Sequence, residues 1–159
     1  MNKTKIKVCA LFIMSICSLG AWAQKSHVSW VDPFIGSGGH GHVFVGASVP
    51  FGAVQLGPNN VFKGWDWCSG YHYSDNVIVG FSHNHLSGTG CNDLGDVALM
   101  PYTGELRTRI ADKDNLEGAA SSTYKHENEK CAPGYYAVNL DNGVNVELTA
   151  TERVGLHHY

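Results

Sequence analysis

The segment YYAVNLDNGVNVELT, residues 135–149, decides the class of fold. Two runs of β-branched, aromatic and aliphatic residues, Tyr135–Leu140 and Val144–Thr149, lie on either side of Asp141-Asn142-Gly143. Because Asn-Gly readily supplies the two positive φ angles of a type I′ turn, the segment predicts a β-hairpin. Apolar and polar residues alternate in the second arm, which predicts one buried face and one solvated face.

Short runs of the same character recur along the chain, whereas helical periodicity is nearly absent. The chain contains 19 glycines, and turn dipeptides separate the runs. The predicted strands are Ser29–Ile35, Ala53–Leu56, Val77–Ser82, Val97–Met100, Gly134–Leu140 and Val144–Thr151. Short strands at this spacing predict an all-β fold, an antiparallel β-sandwich.

Two further segments complete the fold prediction. Residues 111–130 are charged and lack an apolar period, so they are interpreted as a surface connection with one helical turn. Residues 153–159 have the pattern of another strand with no polar tail behind it. We therefore expect the sandwich to be incomplete and the chain to be a piece of a longer protein.

The N-terminus has the pattern of a secretory signal. Lys3, Lys5 and Lys7 precede the apolar run Val8–Leu19, and Ala21-Trp22-Ala23 provides a cleavage site. The run is too short to span a bilayer, which disfavours an uncleaved anchor. We therefore predict that residues 1–23 are removed, and that residues 24–159 are exported to the periplasm or the exterior with no membrane segment.

The net charge and the number of cysteines exclude some classes of function. The signal carries three of the 11 basic residues and none of the 14 acidic ones, so the mature net charge is −6. No basic patch is left to bind nucleic acid. Cys68, Cys91 and Cys131 remain after cleavage, and three cysteines allow at most one disulfide within the chain. No C-x-x-C pair occurs, so a zinc site of that kind is not predicted.

Residues 36–75 and 82–96 are rich in glycine, histidine and aromatic residues, as functional loops often are. GSGGHG at 36–41 matches G-x-G-x-x-G, but Gly46, Pro50 and Gly52 prevent a helix from following, so we interpret it as a tight turn instead of a dinucleotide site.

Two histidine pairs, HGH at 40–42 and HNH at 83–85, would each share one face of a strand, and Asp93 and Asp96 follow in sequence. A transition-metal site built on these pairs is one hypothesis. Histidines that hydrogen-bond loops or a ligand are the favoured alternative, because nothing fixes a third ligand.

The segment GWDWCSGYHYSD, residues 64–75, combines four large aromatic side chains with two carboxylates. Aromatic faces can cover the apolar face of a pyranose ring, and carboxylates can accept hydrogen bonds from its hydroxyl groups. Tryptophan and tyrosine also fill sandwich cores, so both interpretations stay open for the rings. Asp66, between two tryptophans, is harder to place in a core, because a buried carboxylate needs polar partners.

Four segments together resemble one protein family. VDPFIGSGGHGH (31–42), VPFGAVQL (49–56), GWDWCSGYHY (64–73) and GFSHNHLSGTGC (80–91) are similar, in that order, to the N-terminal domain of family 92 glycoside hydrolases. Val45 departs from the expected proline. The resemblance implies a calcium-dependent, inverting exo-α-mannosidase that acts on α-mannosides of glycans. Such enzymes join an N-terminal β-sandwich to an (α/α)₆ barrel, which supplies the general acid, the general base and the calcium site.

No residue of this chain matches those barrel motifs, so the resemblance assigns no catalytic or calcium-binding residue to it. It implies instead that residues 24–159 form one wall of the mannose pocket. Trp65, Asp66 and Trp67 are predicted to contact sugar, and His83 and His85 to contact sugar or the barrel. The chain alone is predicted to be inactive. A stand-alone carbohydrate-binding module, or an exported metal protein that uses the two histidine pairs, are the alternatives.

Overall fold

The computed structural model describes residues 26–92 and 95–159, which form an antiparallel β structure. The predicted signal peptide, residues 1–23, and Asp93 lie outside the described residues. Within those ranges the strands are β1 Ala47–Ser48, β2 Gln55–Asn60, β3 Val77–Ser82, β4 Ala98–Leu99, β5 Ser122–Ala132, β6 Tyr135–Leu140, β7 Asn145–Ala150 and β8 Gly155–His158. Every pairing between these strands is antiparallel, so the all-β prediction is confirmed.

The strands follow the order β1-β2-β3-β5-β6-β7-β8, and β4 pairs with β3 outside this path. β1 contacts β6 and β7, and β2 contacts β7, so the sheet folds back on itself and its two halves enclose the core in a sandwich-like arrangement. The core side chains come from both halves: Val45, Ala47, Leu56, Ile78, Phe81, Tyr124, Tyr136, Val138, Val146 and Leu148. No helix among the described residues is long and apolar enough to cross a membrane.

The predicted hairpin is present, but its turn differs from the prediction. β6 and β7 pair as far as Asn139 opposite Asn145. The Gly143 amide then donates to the Leu140 carbonyl, and the Leu140 amide donates to the Val144 carbonyl. Of the turn residues only Gly143 has a positive φ, 87°, so the predicted type I′ turn is wrong. The connection is a three-residue loop of the kind that ends in a left-handed glycine.

Asn142 explains the difference, because contacts from outside the hairpin hold it. Its amide donates to Ser122 Oγ over 3.2 Å, and its side-chain nitrogen donates to the Pro101 carbonyl over 3.1 Å. These contacts fix the turn geometry by tertiary packing, which the Asn-Gly pair alone does not reveal.

The strand predicted at Val77–Ser82 is confirmed with the same bounds as β3. The strand predicted at Ala53–Leu56 begins later, at Gln55, and continues to Asn60 as β2. β4 forms within the predicted Val97–Met100 but covers only two residues. The strand expected from residues 153–159 is also confirmed, because β8 pairs with β7.

The strand predicted at Ser29–Ile35 is wrong. His27–Trp30 is a short 3₁₀ helix, and its first turn is capped by Ser26 Oγ, which accepts from the Val28 amide. Asp32 then starts a turn: its side chain accepts from the Phe34 amide over 2.9 Å, and its carbonyl accepts from the Ile35 amide. Aspartate followed by proline favours such a turn, and this local preference overrides the β-branched composition.

The surface connection predicted for residues 111–130 is also wrong, because β5 occupies its second half. The pairing of β5 with β6 shifts register between Tyr124 and Glu129, as in a β-bulge. The inward position after this shift is occupied by Glu129, which is buried. A bulge and a buried carboxylate together remove the alternation of apolar residues by which a strand is recognised.

Candidate functional site

Residues 36–42 form a tight turn that places two histidines at one end of the fold. The Gly41 amide donates to the Gly38 carbonyl, and the Val43 amide donates to the Gly36 carbonyl. A Cβ atom on Gly41 would lie 2.1 Å from the Gly36 oxygen, so the backbone closes on itself too tightly for any side chain there. The glycine-rich segment is a tight turn, as predicted.

His42, the last residue of this turn, is buried and has a φ of 54°. Histidine adopts this left-handed region more readily than most residues with a side chain. The His42 carbonyl accepts a hydrogen bond from the Gly88 amide over 2.7 Å, so a second loop holds the unusual backbone in place. Backbone strain of this kind is concentrated at functional sites.

Both histidines of the turn contact the carboxylate of Asp66. Asp66 lies in the 3₁₀ helix Trp65–Trp67, which follows Gly64 with a φ of 131°. Nδ1 of His40 lies 2.6 Å from Asp66 Oδ1, and Nε2 of His42 lies 3.3 Å from the same oxygen. The hydrogen bond from His40 is the main cause that lowers the pKa of Asp66. Among the described residues, none donates a hydrogen bond to the other oxygen, Oδ2.

Trp65 stands beside this carboxylate with 58% of its surface exposed. His42 packs edge-to-face against the indole at a centroid distance of 4.2 Å, and His40 lies 5.7 Å away. Gly90 approaches the indole nitrogen so closely that a Cβ atom there would lie 2.4 Å from it. The result is an exposed indole flanked by two imidazoles and a carboxylate, which we call the Trp65 rim.

Trp67 makes its contacts with Asp75 and His72, in the loop that leads to β3. Its Nε1 donates to Asp75 Oδ2 over 2.9 Å, and Lys63 Nζ lies 2.7 Å from the same oxygen. The indole stacks on His72 at 4.3 Å with an interplanar angle of 22°. Asp75 itself is buried, and these contacts give its carboxylate the partners that a buried charge requires.

The two histidines of the second pair face different partners. His85 is buried: Nδ1 lies 2.9 Å from the Gln55 carbonyl, and Nε2 lies 2.7 Å from Asn59 Oδ1. Burial lowers the pKa of His85 to about 4, so the ring is neutral at pH 7. His83 instead stacks on His157 of β8, with ring nitrogens 3.1 Å apart.

The expectation that His83 and His85 share a strand face is therefore wrong. β3 ends at Ser82, one residue before the pair, so strand alternation does not extend to it. His85 borders a polar cavity of about 180 Å³, together with Asn59, Trp67, Ser69 and Asn92. In the described ranges, no group of three or more His, Cys, Asp or Glu side chains is arranged to hold a metal ion.

The profile of the glycosyl hydrolase family 92 N-terminal domain matches residues 30–159, which include both the Trp65 rim and the sheet. The chain belongs to this family.

Solved structures of family 92 share the fold. An α-mannosidase from Bacteroides thetaiotaomicron, solved in complex with mannoimidazole, is 40% identical with a TM-score of 0.77; the match covers 82% of this chain and 17% of that one. An inverting mannosidase of the family from the same bacterium is 28% identical with a TM-score of 0.68, over 85% of this chain and 18% of that one.

A fungal relative extends the comparison. An uncharacterized secreted glycosidase of Arthroderma benhamiae is 31% identical over an alignment of 151 residues, and the match covers 91% of this chain and 18% of the relative. This family 92 chain thus spans less than a fifth of the length of each of these proteins.

In this family 92 domain, the Trp65 rim brings together residues that the sequence alone does not link to one site. The sequence predicts Trp65 and Asp66 as sugar contacts, whereas it leaves His40 and His42 as metal ligands or as histidines that hydrogen-bond loops or a ligand. The structure brings all four together. The signal that could have linked them is chemical: a carboxylate between two tryptophans needs donors, and H-x-H supplies two.

Proposed function

We propose that this chain is the N-terminal domain of a longer, exported exo-α-mannosidase and that it forms one wall of a mannose pocket. The membership in family 92 and the names of the similar proteins support the reaction class. The observation that carries the proposal is the Trp65 rim, where an exposed indole lies beside a carboxylate oxygen that accepts no hydrogen bond from the described residues.

The rim has the chemistry to hold a pyranose. The indole face covers the apolar C–H face of the ring, while Asp66 Oδ2 accepts a hydrogen bond from a sugar hydroxyl. His40 is exposed and offers its second ring nitrogen to a neighbouring hydroxyl. His42 is buried and holds both Trp65 and Asp66, so the side chains are oriented before the sugar arrives. Preorganised contacts of this kind reduce the entropy lost on binding.

In this proposal the reacting groups lie outside the chain. An inverting glycosidase uses a general acid and a general base about 6.5–9.5 Å apart on opposite sides of the scissile bond. We assign both to an (α/α)₆ barrel domain of the longer protein, together with a calcium ion that would coordinate sugar hydroxyls. The residues of this chain orient the ring and exclude water from one of its faces.

The experiment that tests the proposal is Trp65→Ala in the longer protein that contains this chain. The loss of ring stacking is expected to lower kcat/KM for an aryl α-mannoside by about tenfold or more, which corresponds to about 1.4 kcal/mol. Trp30→Ala is the matched control, since Trp30 is also exposed and lies in the other 3₁₀ helix. Unchanged kinetics in the Trp65 variant, with an unchanged melting temperature, would remove the rim from the pocket.

One observation favours a second candidate, a carbohydrate-binding module without catalysis. Every side chain of the rim belongs to this chain, so the sugar contact does not need another domain. Titration of methyl α-mannoside into the isolated chain, followed by tryptophan fluorescence, separates the candidates together with the kinetics. Binding by the chain and no hydrolysis by the longer protein would favour the module.

A further inference from the structure

Two of the three cysteines predicted to remain after signal cleavage lie at the Trp65 rim. Cys68 follows directly after the 3₁₀ helix Trp65–Trp67 and is buried. Its thiol donates to the Thr89 carbonyl, with the sulfur 2.9 Å from the oxygen. Gly90 packs against the indole nitrogen of Trp65. Residues 89–90 therefore lie directly on the helix, and Cys91 is the next residue.

Cys91 follows this contact by only two residues. Two residues of extended chain span at most about 7 Å, so the Cys91 backbone cannot lie far from the Cys68 sulfur. A disulfide needs Cα atoms about 4.4–6.8 Å apart, and Cys91 lies in an exposed segment. The short connection between the Cys68 contact and Cys91 is compatible with a bond between the two thiols.

Cys131 lies elsewhere and does not compete. Its thiol points to the Gly46 carbonyl, 3.6 Å away, and it packs against the hydrophobic core. Burial raises the pKa of Cys131 to about 12, so its reactive thiolate is scarce at neutral pH. Cys68 is also desolvated, and the charge of a Cys91 thiolate adds to the rise of its pKa, which agrees with the proximity of the two sulfurs.

We propose that Cys68 and Cys91 form a disulfide when the protein meets a low-molecular-weight or protein disulfide as oxidant, and that this bond fastens the loop at residues 88–91 onto the Trp65 rim. The proposal rests on the proposed function only for export, which would bring the chain to a compartment where such oxidants occur.

The reaction is a thiol–disulfide exchange in two steps. The exposed Cys91 loses its proton to solvent, and its thiolate attacks the S–S bond of the oxidant; a mixed disulfide forms and one thiolate of the oxidant leaves. Cys68 then loses its proton and attacks the Cys91 sulfur, which releases the second thiolate. The two leaving thiolates take up the two protons, so the oxidant is reduced by two electrons and the two cysteines are oxidised.

Peptide mapping tests the proposal. Trypsin cleaves after Lys63 and Arg107, so Cys68 and Cys91 fall in one peptide, while Cys131 falls in the peptide 131–153. The complete chain is equilibrated with glutathione disulfide, denatured, alkylated without reduction and digested. We expect peptide 64–107 to be unalkylated and lighter than its reduced form by two hydrogen atoms, and peptide 131–153 to carry one alkyl group or one glutathione.

Two variants complete the experiment. Cys91→Ser changes an exposed residue and should leave the fold intact, so that Cys68 becomes alkylated. Cys131→Ser should leave the linkage in peptide 64–107 unchanged. Alkylation or glutathionylation of both Cys68 and Cys91 in the parent protein, or a bond from either of them to Cys131, would overturn the proposal. None of these readouts depends on sugar binding, so the outcome is independent of the mannosidase assignment.

Discussion

The carboxylate of Asp66 is held in its charged form by the imidazole of His40, and this contact can be tested on its own. Removing the donor in His40→Ala should raise the pKa of Asp66 toward its ordinary value of 3.8. A carboxyl-carbon NMR titration of Asp66 measures the shift directly. His27→Ala, which changes an exposed imidazole in the other 3₁₀ helix, should leave the titration unchanged.

The lowered pKa of Asp66 also determines how its contact with His40 contributes to the stability of the fold as the pH changes. The pKa of Asp66 is lower in the folded chain than in the unfolded chain, so the contact stabilises the fold above the unfolded-state pKa. That contribution is lost as the pH falls through the folded-state pKa. A titration of Asp66 that is the same with and without His40 would contradict this account of the rim.

Glu129 is the second carboxyl group with a testable role, and it lies in the core. Its two oxygens accept from the phenols of Tyr71 over 2.9 Å and Tyr136 over 2.6 Å, and His126 lies 3.0 Å away. Burial raises the pKa of both phenols well above the ordinary value, so they stay protonated donors. An amide in place of the carboxylate would leave one buried phenol without an acceptor.

We therefore expect Glu129→Gln to lower the free energy of unfolding by about 2 kcal/mol, as measured by urea denaturation. Glu127→Gln, on the same strand but with an exposed side chain, should change it by less than about 0.5 kcal/mol. Equal effects of the two variants would show that the phenol contacts carry no particular weight.

Composition alone was enough to single out Trp65 and Asp66, and the structure places both at the surface. The roles predicted for them, for Trp67, and for His83 and His85 stay predictions. The burial of His85 could not be anticipated, because its partners Gln55 and Asn59 are about 30 residues away along the chain. Sequence indicates the chemistry of a side chain, whereas its exposure depends on which distant backbone packs over it.

At the scale of elements, the turn at residues 36–42 determines where the two rim histidines lie. Gly41→Ala would place a methyl group 2.1 Å from the Gly36 carbonyl, so the turn must open and His40 and His42 must move away from Asp66. We expect this variant to abolish the effect of His40 on the Asp66 titration and to weaken mannoside binding by the longer protein at least tenfold.

Gly38→Ala is the control in the same turn. A Cβ atom there meets only Tyr73 Cβ at 3.6 Å, which is ordinary contact. This variant should keep the Asp66 titration and the binding of the parent protein. If Gly41→Ala binds mannoside as well as Gly38→Ala does, the turn has no part in the site.

Some strands and turns are predictable from the local sequence, whereas others depend on contacts that the local sequence does not show. β3 and the β6–β7 hairpin were predictable because apolar runs lie between clear turn residues. The strand prediction for Ser29–Ile35 is wrong because the preference of Asp32-Pro33 for a turn outweighs the β propensity of the neighbouring residues. β5 is not recognisable from the sequence because its register shifts before Glu129. Glu129 faces inward because Tyr71, in the loop between β2 and β3, and Tyr136 of β6 supply hydrogen-bond donors to it.

At the scale of the whole molecule, the sheet carries the Trp65 rim at its surface. The rim is built from the loop before β1 and the loop between β2 and β3, and the loop after β3 packs against it. Its indole is open on one side, and the similar proteins are more than five times longer than the matched region. This combination is what we expect of a domain that contributes part of a cleft.

The corresponding prediction is that the isolated chain does not hydrolyse mannosides. Among the described carboxyl groups, Asp66 is engaged by two imidazoles, Asp75 is buried with Lys63 and Trp67, and Glu129 is buried with two tyrosines. None of the three is arranged as the proton donor that the reaction needs. The purified chain should release no nitrophenol from nitrophenyl α-mannoside above the buffer rate, while the longer protein does so. If the isolated chain hydrolyses the substrate and Asp66→Asn abolishes this activity, the catalytic acid lies on this domain. That result would overturn the proposal that the reacting groups lie outside the chain.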